Sequence, residues 1–249
     1  MNEFFLTVQE NAVFLLTCLG IFIALALIAR IAEKLLKVSS RLNTARTVSY
    51  IAMFSAIAAV LMLIEIPLFF APSFYEIDLS EIPILICTFY LGPVAGVAAE
   101  ALKVLVKLVL KGTTTAFVGD FANFVVGCSF VLPASVIYHA KPGKRSALIG
   151  MAVGTIVLTC FGSFLNAVYM IPKFSQLFGL PIDAIVAMGS AVNGAINSVT
   201  TLVLFAVVPF NLLKGILVSF ITFLLYKRIS PILHKNDARK LQKKIQKEM

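Results

Sequence analysis

Two polar side chains lie at the start of the last long apolar segment of the chain. Asn211 and Lys214 follow Pro209 and precede residues 216–226, which carry no charge. They are three residues apart, so they share one face of a helical turn. Because polar groups at the edge of hydrocarbon need polar surroundings, we expect both to point into a pocket.

Further polar side chains lie next to other apolar segments. Asn123 follows Asp120 at the start of one segment, and Asn166 lies near the end of the next. A loop before an earlier segment alternates apolar and polar residues, which favours a short extended stretch able to cover a pocket. Its candidate binding residues are Asp78, Leu79, Ser80 and Glu81.

The composition is that of a membrane protein. Of 249 residues, 60% are hydrophobic and 13% are charged, and the mean hydropathy is +0.98. Several apolar segments of spanning length follow one another, which indicates an all-α, multi-pass integral membrane protein. The net charge of +9 comes from basic residues in three segments that the topology explains, so we expect no nucleic-acid partner.

Seven spans are predicted, and they position the polar side chains. The last helix is expected to begin at Pro209, since proline is favoured in a first helical turn. Residues 171–208 fit either an outer loop with an interfacial helix or an extra span, and we prefer the loop. The spans are residues 12–29, 47–65, 83–91, 94–110, 120–138, 147–170 and 209–228.

Basic residues set the predicted orientation. Of 21 lysines and arginines, 16 fall in residues 30–46, residues 141–145 and the tail from residue 227. The positive-inside rule then places the N-terminus outside and the C-terminus in the cytoplasm. We predict a first helix with a basic linker (residues 1–46), a membrane domain (residues 47–228) and a basic cytoplasmic tail (residues 229–249).

In this topology the candidate residues come from separate segments but share one depth, near the outer face. Each residue taken alone can cap a helix or meet lipid headgroups, and Asp120 in particular fits an N-cap. Their common depth favours a polar cavity that opens outward.

Enzyme and metal sites have little support in the sequence. The four cysteines are isolated in apolar runs, and no HExxH, GxSxG or GxxxxGK[ST] motif is present. We therefore predict no metal, no cofactor and no catalytic residue. An intramembrane enzyme using Asp78, Glu81 and Lys214 as acid and base groups is the alternative from a different class.

Small residues form a stripe on the second predicted span. Ala52 and Ala56 lie one helical turn apart, which lets another helix approach closely. Spacing alone favours packing within the chain over docking of a partner.

Five motifs in order resemble the riboflavin-specific substrate-binding (S) component of energy-coupling factor (ECF) transporters. The resemblance covers residues 46–228. The motifs are Ala52-xxx-Ala56, Asp78-Leu79-Ser80-Glu81-Ile82-Pro83, Gly92-Pro93-Val94-Ala95-Gly96, Asp120-Phe121-Ala122-Asn123-Phe124 and Pro209-Phe210-Asn211-Leu212-Leu213-Lys214-Gly215.

This resemblance implies a six-helix protein that binds riboflavin from outside and works with a transmembrane coupling subunit and two cytoplasmic ATPases. It implies that Ala52 and Ala56 meet the coupling subunit, and that the loop at Asp78 covers the ligand. Asn166, Asn211 and Lys214 match flavin-contacting positions, and Phe121, Phe124 and Phe210 are possible walls. The first helix and the long basic tail are additions to the family's six-helix core. An S component for thiamin, biotin or folate is the nearest alternative.

Overall fold

The computed structural model describes residues 2–38, 45–72, 75–226 and 228, with side chains from residue 16 onward. These described residues form eight helices and one short hairpin. The predicted basic tail lies outside them. The helices are α1 (Asn2–Leu35), α2 (Ala45–Met62), α3 (Glu81–Leu91), α4 (Pro93–Lys111), α5 (Val118–Ala140), α6 (Lys144–Phe178), α7 (Ile182–Ser190) and α8 (Val199–Tyr226).

The helices are those of a multi-pass membrane protein. Five of them, α1, α2, α5, α6 and α8, are long and apolar enough to cross a bilayer. The other two core helices are α3, with 11 residues, and α4, whose 19 residues include four ionisable side chains. The fold is therefore all-α, with a six-helix core of α2–α6 and α8 and one additional N-terminal helix.

Close helix packing holds the core together. Helices α5 and α6 have the most extensive contact, and α4 packs on α2, α3 and α5. Gly150 and Gly154 make the α5–α6 contact possible, since a Cβ on either would lie 2.6 Å from a backbone oxygen of α5. The turn between α3 and α4 uses Gly92, whose φ of 107° favours glycine, and Pro93 begins α4.

The bundle has two distinct ends. We call the end with Met62, Lys111, Val118 and the hairpin the cavity end, and the end with Gly92 the opposite end. The additional helix α1 packs against α4 and α5, and Glu33 near its C-terminus accepts a hydrogen bond from Val94 N–H at 3.1 Å. The C-terminus of α1 therefore lies at the opposite end.

The last two long helices differ from the sequence prediction. Helix α8 begins at Val199 rather than Pro209, and α6 continues to Phe178 rather than ending at Met170. Each contains a π-helical segment, Asn166–Met170 in α6 and Val203–Val207 in α8. Pro209 cannot donate to the carbonyl four residues before it, and the π-helical segment ends two residues before it. Residues 171–208 are thus mostly helical, and a loop over this whole range is wrong.

Smaller differences occur at other helix ends. Helix α1 extends well beyond residues 12–29, and α3 begins at Glu81 rather than at residue 83. The N-cap of α5 is Phe117 and not Asp120. The extended stretch predicted at Asp78 is confined to the strand Glu76–Ile77, which pairs with Ile66–Pro67.

A separate apolar cluster covers one side of the cavity end. It joins the loop after α2 to the ends of α6, α7 and α8 through buried residues such as Ala71, Tyr75, Ile185 and Leu202. This packing fixes the hairpin loop next to α8.

Candidate functional site

A cavity of about 280 Å³ opens at the cavity end, near the lower limit of typical small-molecule sites. It lies between the hairpin loop and helices α4, α5, α6 and α8. Five of the predicted binding residues line it: Asp78, Asn123, Asn166, Asn211 and Lys214. The sequence interpretation that these side chains share one depth agrees with this placement.

Lys214 and Asp78 form an ion pair at the cavity wall. Lys214 Nζ donates to Asp78 Oδ2 at 2.9 Å, and the backbone N–H and hydroxyl of Ser80 donate to Asp78 Oδ1. Burial favours the neutral acid, but Lys214, Lys103 and the Ser80 hydroxyl outweigh it and lower the pKa of Asp78 to about 2. Asp78 is therefore ionised at neutral pH. Lys214 has three donors, and Asp78 uses one of them.

Lys103 binds the residues behind this pair. Its side chain is fully buried, and Nζ donates to both oxygens of Glu81 at 3.1 and 3.2 Å. It also donates to Ser80 Oγ at 3.3 Å and Asn123 Oδ1 at 3.4 Å. These partners lie 20 to 23 residues away along the chain, so no local sequence pattern identifies them. Ser80 and Glu81 are themselves buried behind the cavity and are not among its lining residues.

Tyr75 orients the amide of Asn166. Its hydroxyl donates to Asn166 Oδ1 at 3.0 Å, while Asn166 Nδ2 donates to Gly162 O at 2.8 Å. The Tyr75 ring packs on Phe210 with centroids 5.3 Å apart. Tyr75 is thus a cavity residue that sequence reasoning missed, because a single tyrosine in a loop carries no positional pattern.

Asn211 lies against α6. Its Nδ2 is 3.5 Å from Ser163 Oγ, a long hydrogen bond. A Cβ on Gly162 would lie 3.2 Å from the same nitrogen, so a glycine there gives the amide room. With one weak contact, the Asn211 amide keeps hydrogen-bonding capacity for a ligand.

Charged pairs surround the remaining part of the cavity lining. Lys107 pairs with Asp120, and Lys111 pairs with Glu65. Asp120 Oδ2 is buried and accepts no hydrogen bond from the described residues. Asp120 is therefore a lining residue with an unused acceptor rather than a helix cap. Burial and the Glu65 carboxylate raise the pKa of nearby Glu76.

Two predicted binding residues lie elsewhere. Phe124 is buried between α5 and the additional helix, with its ring 5.8 Å from that of Phe22. Phe121 packs in the same apolar cluster. Leu79 packs against the main core. Neither Phe124 nor Leu79 lines the cavity, whereas Phe210 does.

The small residues of α2 lie on two sides of the helix. Ala52 and Ala56 are exposed, whereas Ser55 and Ala59 are buried against the bundle. Ser55 Oγ donates to Ala99 O of α4 at 3.1 Å. Packing within the chain thus uses Ser55 and Ala59 and leaves Ala52 and Ala56 exposed.

Among the described residues, no group of three or more His, Cys, Asp or Glu side chains is arranged to hold a metal. All four cysteines are free thiols.

Comparison with known proteins identifies the family. The sequence model of the substrate-specific component of ECF transporters matches residues 46–226. The chain belongs to this family. The match begins after α1, so α1 is additional to the family core.

Individual relatives agree with the family. The chain is 36% identical over 185 residues to riboflavin transporter RibU of Staphylococcus aureus (strain TCH60), covering 74% of this chain and 90% of the relative. It is 30% identical over 182 residues to riboflavin transporter FmnP of Bacillus subtilis (strain 168), covering 73% and 90%. These relatives are named as transporters, so an intramembrane enzyme is not favoured.

A solved structure shares the fold. It is described as the S component of a bacterial ECF transporter, and it superposes with a TM-score of 0.59 at 34% identity. The match covers 76% of this chain and 97% of the solved chain.

Proposed function

We propose that this chain is the riboflavin-binding S component of an ECF-type importer. The observation that carries the proposal is that Asn166, Asn211 and Lys214, from two helices, line one cavity together with Asp78. The edge of the isoalloxazine ring presents carbonyl acceptors on both sides of an imide N–H. Amide and ammonium groups complement such an edge. The similar proteins named riboflavin transporters support this choice of vitamin.

The unused acceptor on Asp120 suits the other part of riboflavin. The ribityl chain carries hydroxyl groups, and a buried carboxylate oxygen without a donor gains a hydrogen bond from such a group. We propose that the ring lies near Asn211 and Lys214 and that the ribityl chain points towards Asp120. Thr114 and Thr115 line the same region.

The proposed orientation places the cavity end outside the cell. Lys141, Lys144 and Arg145 lie at the opposite end, as do Lys34 in the last turn of α1 and Lys37 just after it, so the positive-inside rule puts this end in the cytoplasm. The N-terminus would then be outside and the C-terminus cytoplasmic. We further propose that Ala52 and Ala56 dock the transmembrane coupling subunit, which works with two cytoplasmic ATPases.

Direct binding tests the proposed ligand. The purified protein is expected to quench riboflavin fluorescence on titration and to release riboflavin chemically unchanged, as shown by mass spectrometry. Excess thiamin, biotin or folate should not compete. Protein without flavin affinity, or displacement by one of these vitamins, would contradict the assignment. A chemically altered ligand would favour an enzyme.

Variants test the site and the pose. Asn211→Leu should weaken riboflavin binding about tenfold or more, whereas Asn193→Leu in the exposed loop after α7 should not. Asp120→Asn should weaken binding of riboflavin more than that of lumiflavin, which carries a methyl group in place of the ribityl chain. Equal losses for both flavins would contradict the proposed position of the ribityl chain.

A further inference from the structure

Five ionisable side chains form one buried cluster next to the cavity. Asp78 and Lys214 lie at the cavity wall, and Glu81, Glu100 and Lys103 lie behind them. Each is at most 8% exposed, and Glu100 and Lys103 are fully buried. We call these five residues the buried charge cluster.

The cluster contains three acids and only two bases. Lys103 Nζ lies 2.7 Å from Glu100 Oε2 and 3.1 Å from Glu81 Oε1. Lys214 Nζ lies 2.9 Å from Asp78 Oδ2 and 3.9 Å from Glu81 Oε1. If all five were ionised, one negative charge would be buried without a counter-ion, which is strongly unfavourable. The neighbouring Lys107 offers no compensation, because it pairs with Asp120.

Glu100 is the acid that lacks hydrogen-bond donors. Neither of its oxygens accepts a hydrogen bond from the described part of the chain, although Lys103 is close enough for an ion pair. Its carboxyl group and that of Glu81 both lie at the same ammonium group, Lys103 Nζ. Two carboxylates repel, whereas a protonated carboxyl group donates a hydrogen bond to an ionised one.

Among the residues that the structure describes, no charged group outside the cluster faces Glu100. The groups that face it are Glu81 from α3, Lys103 from its own helix and the thiol of Cys128 from α5. Gly127 provides the space for the carboxyl group, since a Cβ there would lie 2.8 Å from it. Glu81, in contrast, receives two hydrogen bonds from Lys103.

We propose that Glu100 holds a proton and donates a hydrogen bond to Glu81, which makes the buried charge cluster electrically neutral. Glu100 and Lys103 are then positioning residues. Lys103 fixes Glu81, Ser80 and Asn123, and Ser80 in turn fixes Asp78 beside Lys214. The consequence for ligand binding rests on the proposed function, but the proton on Glu100 does not.

Infrared spectroscopy of the ligand-free protein tests the proton directly. A protonated carboxyl group has a C=O stretch that a carboxylate lacks. The protein should be delipidated and held in a detergent without ester groups, since lipid esters and flavin carbonyls absorb in the same region. At neutral pH the band should be present in the wild type, absent in Glu100→Gln and retained in the control Glu65→Gln. Loss of the band in Glu81→Gln but not in Glu100→Gln, or its absence from the wild type, would overturn the assignment.

Thermal stability provides a second, independent measurement. Glu100→Gln should keep the unfolding midpoint of the ligand-free protein, because glutamine is neutral and still donates to Glu81. Glu81→Gln should lower it, because Lys103 then loses its ionised partner. Equal decreases in both variants would contradict a proton on Glu100. Because both measurements use protein without riboflavin, failure of the proposed function would leave this test intact.

A neutral cluster predicts that a second substitution can restore part of the stability lost when Lys103 is replaced. Lys103→Met alone should lower the unfolding midpoint and weaken riboflavin binding by roughly tenfold or more, since it leaves uncompensated negative charge. Lys103→Met combined with Glu81→Gln removes one charge of each sign and should recover part of the unfolding midpoint. A double variant less stable than Lys103→Met alone would contradict a neutral cluster.

Discussion

Lys214 has two roles that a single substitution cannot separate. It lines the cavity, and it also neutralises Asp78, which is only 5% exposed. Removing one partner of a buried ion pair leaves the other charge uncompensated, at a cost of about 3–5 kcal/mol. Replacing Lys214 alone is therefore expected to destabilise the fold as well as to weaken ligand binding.

A double variant separates the two roles. Lys214→Met should lower both the unfolding midpoint and riboflavin affinity, whereas Lys214→Met with Asp78→Asn should recover stability but not affinity. Thermal unfolding and fluorescence titration measure the two quantities. Lys111→Met is the control, because its pair with Glu65 is partly exposed and such pairs contribute about 0–1 kcal/mol. Full recovery of affinity in the double variant would show that Lys214 does not bind the ligand.

Tyr75 acts on the ligand site through Asn166. Tyr75→Phe keeps the ring packing on Phe210 but removes the hydrogen bond that orients the Asn166 amide. Such a bond contributes about 0.5–1.5 kcal/mol, so riboflavin affinity should fall about two- to tenfold. Tyr138→Phe is the matched control, because it loses a bond to the Tyr226 hydroxyl at the opposite end. The same loss of affinity in both variants would indicate a general effect on stability.

At the scale of elements, helices α6 and α8 contribute site residues near points where the regular α-helix is interrupted. Their π-helical segments contact one another, and Asn166 lies in the first of them. Such segments are frequent at functional sites because they change the direction of the side chains on either side. Here they bring the amides of α6 and α8 to a common cavity.

The same irregularity limits what the sequence predicts. Apolar periodicity and turn signals located α2, α4 and α5 to within a few residues. Pro209 was misread as a helix start because local propensity cannot distinguish a first turn from a helix interior that follows a π-helical segment. Glu100 lies three residues before its partner Lys103 on α4. The other acidic partners of the α4 lysines, Glu81, Asp120 and Glu65, come from distant segments, and no local pattern identifies them.

Because α5 packs closely on α6, a larger side chain at their contact should destabilise the protein. Gly154→Ala should lower the unfolding midpoint, because its Cβ would lie 2.6 Å from Phe130 O and the helices would have to separate. Gly20→Ala in α1 is the matched control, since its Cβ meets no atom within 4 Å. Thermal unfolding in detergent measures both. An unchanged midpoint in Gly154→Ala would mean that the two helices separate at little cost.

At the scale of the whole molecule, α1 adds a helix without covering α2. It packs on α4 and α5, where Glu33 binds the N-terminus of α4 and Phe22 packs on Phe124. Ala52 and Ala56 on α2 remain exposed. The additional helix is therefore compatible with docking of a coupling subunit on α2.

Uptake measurements in cells that contain the complete transporter test this docking surface. Ala52→Trp should leave riboflavin binding by the purified protein unchanged but reduce uptake, because a bulky side chain prevents the close helix approach that small residues allow. Ala152→Trp makes the same change at an exposed position of α6 and should retain uptake. Copurification of the other subunits should decrease only in Ala52→Trp. Normal uptake by Ala52→Trp, or equal losses in both variants, would place the docking surface elsewhere on the bundle.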